Sequence, residues 1–509
     1  MSIEPSTTSM KSLLAAATTM ATVTSAVATT YPSPQIFDQQ RQDHFDGTNA
    51  NVWGQYYYVN DTFWKGPSTN SPIFLCVGGE GPAFDGSVVV DSVHCSNAAE
   101  YLEETGALMI AIQHRYYGCH ASSTTNEQQV SQISSSTLLD CPITAFTSNP
   151  NVDMKYLSSH QALSDIANFH EYVVEKYALT TANKWISFGG SYPGMLAAWT
   201  RLKFPHLIHA AVSSSAPVHA KLEMQEYNDI AADAYSVEMV GGSVNCTSAI
   251  TKGHASIGTM LQGSQGRAYL TSLFETGQDS EWLANATNAR SFAGEGVAYF
   301  PSQGNDPMST APFSNIQLIC ETMVNEALGD EVARLAVITK GQRASKSFSK
   351  ILEMSAGGGG RAGSRGIQQA MPGVWDFWSW QTCTEFGFYQ TCDVGSKCMY
   401  TRGLDLLADE MSFCKDKFHI EPSTVQENIN QTNLYYGSDT PSGSRVLWVN
   451  GEVDPWHGLS VNTALPGQPI LYVKGASHHA WTHPLSDCSQ QTVLDARKTI
   501  RDQVADWLK

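Results

Sequence analysis

The chain has 509 residues, of which 42% are hydrophobic and 15% charged, a composition typical of globular proteins. A chain of this length is too long to fold around a single small hydrophobic core, so we expect two domains. The formal net charge of −18 argues against binding to nucleic acids and to anionic membrane surfaces. It is typical of a protein that works in an acidic or extracellular fluid, although solubility alone accounts for it equally well.

The N-terminal segment predicts a signal peptide over residues 1–28. Lys11 precedes an uncharged run of small and apolar residues, and Ala26, Val27 and Ala28 form a small-x-small cleavage site. Met10 is an alternative start, and a disordered Thr/Ala-rich tail is the alternative interpretation of the segment. No later stretch reaches the roughly 18 apolar residues of a membrane span. We therefore expect a mature chain that is secreted or retained in a lysosome or vacuole.

The cysteines and sequons fit the same route. Eleven cysteines are present, an odd number that leaves at least one without an intramolecular partner. No CxxC pair and no HExxH motif occurs, so we expect neither a metal nor an organic cofactor. Four Asn-x-Thr sequons predict N-glycosylation, at Asn60, Asn245, Asn285 and Asn430.

Strands and helices alternate over the first part of the chain. Apolar runs and helical periodicity predict strands at 55–61, 71–82 and 106–118, a helix at 158–177, a strand at 184–190, a helix at 194–205 and a strand at 208–218. Such alternation is typical of a parallel sheet in an α/β domain.

The alternation stops near residue 219 and returns near residue 431. The sequence between them is mostly helical, and it contains a glycine-rich linker or surface loop to which we assign no ligand. Strands return at 444–456 and 468–479, and an amphipathic helix closes the chain. One α/β domain, formed by 29–218 and 431–509, is therefore expected to be split by a helical insertion over 219–430.

The stretch WISFGGSYPGM, residues 185–195, is typical of a nucleophile elbow, in which a serine lies on a tight turn between a strand and a helix. Ser191 is the candidate nucleophile. Pro193 replaces the usual glycine, but it falls in the first helical turn, where no N–H is needed. Asp454 and His478 each follow a later buried strand, in the order serine, acid, histidine that an α/β hydrolase requires.

Backbone N–H groups are the expected oxyanion donors. The Tyr192 N–H lies one residue after the serine, where this fold places one donor. The glycine loop after an earlier strand offers a second donor at Gly79 or Glu80, with a plain turn as the alternative. The Glu80 carboxylate is expected either to orient substrate or to be solvated.

The motifs GGSYPG, NGEVDPW and GASHH resemble the prolyl carboxypeptidase family of serine peptidases, which includes Pro-X carboxypeptidases, dipeptidyl peptidases and thymus-specific serine proteases. The resemblance extends over most of the mature chain and includes WQTCTEFGFYQT, residues 380–391. It implies a hydrolase domain with an inserted helical cap, Ser191 as nucleophile, Asp454 as orienting acid and His478 as base. His479 is the alternative base.

The same resemblance implies a substrate class. Met195 and Trp456 match apolar pocket positions that suit a proline ring, with core packing as the alternative for each. We therefore expect a serine exopeptidase that acts after proline on short peptides, either as a carboxypeptidase or as a dipeptidyl peptidase. The rival hypotheses are a lipase or carboxylesterase and a catalytically inactive binding protein. A homodimer is one candidate oligomeric state. Cys383 is expected to be disulfide-bonded, and Cys392 and Cys398 are close enough in sequence to pair.

Overall fold

The computed structural model describes residues 30–81, 83–117, 154–345, 374–486 and 489–509, with only the backbone described over 374–376. The predicted signal peptide and the glycine-rich linker at 355–366 lie outside these ranges. Residues Pro32–Lys509 form one compact unit.

An eight-stranded sheet runs through the unit in the order β1-β2-β4-β3-β5-β6-β9-β10. The strands within the described residues are β1 (Gln35–Arg41), β2 (Val52–Asn60), β3 (Ile73–Val77), β4 (Leu108–Ile112), β5 (Trp185–Gly190), β6 (Ala210–Ser214), β7 (Lys221–Glu223), β8 (Gly387–Tyr389), β9 (Val446–Gly451) and β10 (Ile470–Val473). The pairs β1–β2 and β2–β4 are antiparallel, and every other pair in the large sheet is parallel. This is the predicted α/β-hydrolase fold.

Helices cover both faces of the sheet. Ser159–Lys176 and Tyr192–Lys203 share a hydrophobic core with one face, and Gln491–Leu508 packs against the other. Because both faces are buried, β3 and β4 consist of unbroken apolar residues rather than alternating ones. The helix predicted at 158–177 begins as expected, since the Ser158 side chain accepts the Gln161 N–H.

The segment between β6 and β9 is mostly helical where it is described. Its α-helices are Gln225–Ala234, Val244–Leu261, Ser264–Leu273, Ala286–Ala293, Ile316–Met323, Glu331–Ala344, Val374–Gln381, Leu407–Phe418 and Pro422–Tyr436. Many of these helices share a hydrophobic core of their own, and β7 pairs with β8 in a small parallel sheet. The domain limits at 219 and 431 stay a prediction. Two further short helices, Ser96–Ala99 and Leu102–Thr105, precede β4.

Four disulfide bonds cross-link the described residues. They are Cys76–Cys95, Cys246–Cys320, Cys383–Cys414 and Cys392–Cys398. Cys383 is therefore bonded, and the local pairing of Cys392 with Cys398 is observed. The other three cysteines, Cys119, Cys141 and Cys488, lie outside the described residues. Among the helices that the structure describes, none combines the length and the apolar character needed to cross a membrane.

Candidate active site

The turn between β5 and the helix Tyr192–Lys203 has the geometry of a nucleophile elbow. Ser191 has φ 65° and ψ −134°, in a region that residues with side chains rarely occupy. Its N–H donates to the Ser214 carbonyl at 2.9 Å, which ties the turn to the neighbouring strand β6. Pro193 lies within the first helical turn, as its sequence position predicts.

Two glycines before Ser191 permit this turn. A Cβ at Gly189 would lie 2.2 Å from the Pro193 carbonyl oxygen, so only glycine lets the helix fold back over the strand end. A Cβ at Gly190 would lie 2.8 Å from Cγ of His479. The residue before the candidate nucleophile therefore lies directly against the loop that carries the two candidate histidines.

Asp454 and His478 are brought together by the loops that follow β9 and β10. The carboxyl ends of these parallel strands lie at one edge of the sheet, the edge at which β5 delivers Ser191. Oδ2 of the fully buried Asp454 lies 2.9 Å from Nδ1 of His478, and Oδ1 of Asp454 accepts the Trp456 backbone N–H at 3.0 Å. His478 Nε2 is buried and has no hydrogen-bond partner among the described residues. An imidazole held this way has its second nitrogen available as a base.

His479 is held differently from His478. Its backbone N–H donates to Ser215 Oγ at 2.8 Å, and its Nδ1 lies 3.0 Å from Thr482 Oγ1. Burial, with the neighbouring His478 and His483 rings, lowers the pKa of His479 well below its ordinary value. The carboxylate contact that orients a catalytic base is thus made by His478.

The loop after β3 packs against the elbow. A Cβ at Gly79 would lie 2.4 Å from Cγ of Pro193, so this glycine allows close approach of the loop to the first helical turn. Burial raises the pKa of Glu80 to about 8, and a hydrogen bond with the Ser191 side chain partly offsets that rise. Since Oε2 of Glu80 is buried, the expectation of a solvated loop carboxylate is not met.

The Tyr192 side chain is held in place by hydrogen bonds at its hydroxyl group. Its hydroxyl lies 3.0 Å from Nε2 of His114 and accepts a hydrogen bond of 3.0 Å from the Gln381 side-chain amide. Gln381 in turn accepts from the Tyr117 hydroxyl at 2.7 Å. The backbone that carries the expected oxyanion donor is therefore anchored from two sides. Gln381 belongs to the WQTCTEF motif, which the structure brings into contact with the elbow.

Met195 and Trp456 belong to one apolar cluster. Met195 is fully buried, and Trp456 is 3% exposed. Trp456 packs edge-on against the rings of Tyr227 and Phe388, at centroid distances of 5.3 and 5.5 Å. Its ring centroid lies 6.4 Å from that of His478. Both side chains are thus buried in the same cluster, and the Trp456 ring lies beside the candidate base.

The family described as serine carboxypeptidase S28 matches residues 40–147 and 142–500 of the chain. The chain belongs to this family. It is therefore a serine-type peptidase, and the resemblance drawn from its motifs is confirmed.

Curated relatives cover nearly the whole of this S28 peptidase. Thymus-specific serine protease of Homo sapiens is 31% identical over 491 residues, covering 92% of this chain and 86% of the relative. Lysosomal Pro-X carboxypeptidase of Homo sapiens is 23% identical over 493 residues, covering 93% and 88%. Among solved structures, proline iminopeptidase of Mycobacterium smegmatis matches 89% of this chain and 94% of its own, at 15% identity and a TM-score of 0.34.

Two glutamines of this S28 peptidase contact the site but are not among the residues that the sequence predicts for it. Gln381 contacts Tyr192, and Gln303 contacts Trp456 and the His478 backbone. Gln381 lies in a motif that the family resemblance singled out, which was a usable signal. Gln303 lies in a loop of the helical segment, far from every motif, and no local pattern marks it.

The four sequons differ in exposure. Asn245, Asn285 and Asn430 are exposed on the helical segment. Asn60 is half-buried, and its amide donates to the Val89 carbonyl at 2.9 Å. Because Asn60 is half-buried, the three exposed asparagines are the more accessible acceptors.

Proposed function

We propose that the protein is a serine exopeptidase that hydrolyses short peptides on the carboxyl side of a proline near a peptide end. The observation that carries the proposal is the Asp454–His478 pair, with a buried and unpartnered Nε2, at the sheet edge where Ser191 occupies a strained turn. Membership of the S28 family supports the same reaction.

In the proposed mechanism, His478 Nε2 takes the hydroxyl proton of Ser191 while Oγ attacks the scissile carbonyl carbon. Asp454 holds the imidazole with its proton on Nδ1 and stabilises the imidazolium that forms. The Tyr192 N–H and an N–H of the Gly79–Glu80 loop donate hydrogen bonds to the oxyanion of the tetrahedral intermediate and stabilise its negative charge.

The intermediate collapses to an acyl-enzyme when His478 returns the proton to the leaving amine. Water then attacks the ester carbon of the acyl-enzyme while His478 takes a proton from it. The bond from that carbon to the Ser191 oxygen breaks, His478 gives its proton to this oxygen, and the carboxylic acid product leaves. Every step uses side chains and backbone of this chain, so the mechanism requires no cofactor.

The proposed specificity rests on the cluster of rings that Trp456 forms with Phe388 and Tyr227 beside His478. Proline is compact and has little rotamer entropy to lose, so a rigid aromatic slot selects it by fit. Apolar fit distinguishes side chains by about 1–3 kcal/mol per methylene-sized difference. We therefore expect alanine to be a poorer substrate rather than an excluded one. Met195 is proposed to support this slot from the core side.

The helical segment over 219–430 is proposed to act as a cap that admits only short or frayed peptide ends. The name of one sequence relative, lysosomal Pro-X carboxypeptidase, states both this specificity and this compartment. Together with the predicted signal peptide and exposed sequons, this supports a secreted or lysosomal enzyme.

The test is a comparison of kcat/KM for matched short peptides with Pro, Ala, Lys or Phe before the scissile bond, alongside a long peptide with one internal proline. We expect the proline peptide to be the best substrate and the long peptide to remain intact. Mass spectrometry of the products separates release of one C-terminal residue from release of an N-terminal dipeptide. Preference for Lys or Phe, or efficient internal cleavage, contradicts the proposed specificity.

A further inference from the structure

Two consecutive residues of the helical segment, Ser302 and Gln303, touch both loops of the candidate active site. They lie between the helices Ala286–Ala293 and Ile316–Met323, in a stretch without regular secondary structure. Ser302 is 3% exposed, and Gln303 is half-buried. Five hydrogen bonds connect these two residues to other residues, and three of the five reach the loops that carry the candidate acid and base.

The loop that carries Asp454 is held on both sides of the carboxylate. The Ser302 hydroxyl donates to the Val453 carbonyl at 2.6 Å, immediately before Asp454. The Trp456 indole N–H donates to Gln303 Oε1 at 2.9 Å, two residues after it. The backbone position of the acid and the orientation of the indole are both coupled to the helical segment.

The loop that carries His478 is held by the same segment. The His478 backbone N–H donates to the carbonyl of Gln303 at 3.1 Å. Gln303 therefore contacts the acid loop with its side chain and the base loop with its main chain. A displacement of this one residue would change the Asp454–His478 alignment.

A second donor holds the Gln303 side chain in place. The Tyr227 hydroxyl donates to Gln303 Oε1 at 2.8 Å, and its ring lies edge-on to Trp456. The indole N–H of Trp456 can only donate, so the amide oxygen rather than the amide nitrogen must face it. Oε1 thereby links two of the three rings that form the proposed proline slot.

We propose that Ser302 and Gln303 are positioning residues, through which the helical segment sets both the alignment of the Asp454–His478 pair and the orientation of Trp456. This inference rests on the proposed function, since it assigns the segment a part in the rate and proline selectivity of that same site. The helical segment then positions the candidate acid and base in addition to restricting access.

Gln303→Met tests the inference, because methionine keeps the length of the side chain and removes the shared acceptor. We expect kcat/KM for the proline peptide to fall about 10- to 100-fold, as two hydrogen bonds of ordinary strength are lost. The Pro-over-Ala ratio should fall with it. Gln303→Glu keeps an oxygen acceptor for both donors and should retain activity within about threefold of wild type.

A control variant and two further measurements separate a positioning role from a loss of fold. Gln317→Met makes the same change at an exposed glutamine whose side chain donates to Glu321, and it should leave all rates unchanged. Thermal unfolding of each variant reports the fold. The rate of labelling by a fluorophosphonate, followed against pH, reports the active-site base without a peptide, and Ser302→Ala and Gln303→Met should both alter this profile.

The inference is overturned if Gln303→Met keeps the wild-type Pro-over-Ala ratio and labelling profile, or if Gln303→Glu loses as much activity as Gln303→Met. A wild-type enzyme that is labelled but cleaves none of the peptides overturns the proposed substrate instead. The labelling profiles of the variants then still decide the positioning role.

Discussion

Replacing Asp454 by Asn probes the charge and the hydrogen bonds of the candidate triad at once. The two carboxylate oxygens of Asp454 contact different groups, the Trp456 N–H at 3.0 Å and Nδ1 of His478 at 2.9 Å. Asparagine has one oxygen for these two positions. If that oxygen accepts the Trp456 backbone N–H, the amide NH2 faces Nδ1 of His478. Nδ1 must then accept a hydrogen bond from the amide, and the ring proton moves to Nε2. That nitrogen can no longer take a proton from Ser191.

The opposite amide orientation is no better, because it places the NH2 group against the Trp456 N–H in a fully buried site. We therefore expect kcat to fall about 10⁴-fold, the loss typical of a triad with the wrong tautomer, which corresponds to about 5.4 kcal/mol. The KM should change little, since Asp454 does not face the substrate.

The assay is steady-state hydrolysis of the proline peptide, with thermal unfolding as the check on folding. Glu452→Gln is the matched control, because it makes the same acid-to-amide change two residues earlier. The Glu452 carboxylate accepts the Gly475 N–H at 2.8 Å, and a glutamine oxygen can do the same, so activity should stay within about threefold. A folded Asp454→Asn enzyme that keeps more than a tenth of its activity would refute the reasoning.

Three further substitutions test the packing and the buried titratable groups of the site. Gly190→Ala places a Cβ 2.8 Å from Cγ of His479 and should destabilise the fold by about 1–3 kcal/mol, measured by urea unfolding; unchanged stability would contradict the close packing. Burial, chiefly, lowers the pKa of His483 to about 4, so the folded state loses stability as pH falls from 6.5 towards 4; melting temperatures of His483→Gln should fall less over that range than those of wild type. Burial raises the pKa of Glu80 to about 8, so the folded state loses stability as pH rises from 4.5 through 8. Glu80→Gln should remove this loss of stability. Equal melting curves for Glu80→Gln and wild type at pH 8.5 would be evidence against a buried Glu80.

Local patterns predict much of the sheet and the elbow. The strands β3, β4, β5, β6, β9 and β10 all fall within their predicted stretches. β3 and β4 show why, because buried parallel strands are continuous apolar runs. The strand before His478 is not buried as expected, because β10 is the edge strand and exposes Ile470 and Tyr472. The WISFGGSYPGM turn is local as well, since the glycines and Pro193 act within a few residues of Ser191. These features depend on neighbours in sequence, so the sequence alone predicts them.

Contacts between distant segments could not be predicted in this way. Gln303 lies about 150 residues from Trp456 along the chain, and the two meet only after the helical segment packs on the sheet. The bond Cys246–Cys320 has the same origin, whereas the six-residue spacing of Cys392 and Cys398 made their pairing visible. Glu80 is a third case, because burial rather than sequence decides whether a loop carboxylate is solvated.

The most direct test of the central claim is to map the fluorophosphonate adduct by mass spectrometry and to assay Ser191→Ala on the proline peptide. We predict one adduct, on the peptide that contains Ser191, and a fall in hydrolysis of several orders of magnitude in a correctly folded Ser191→Ala protein. An adduct on another residue, or more than a tenth of wild-type activity in Ser191→Ala, would contradict the assignment of Ser191 as the nucleophile.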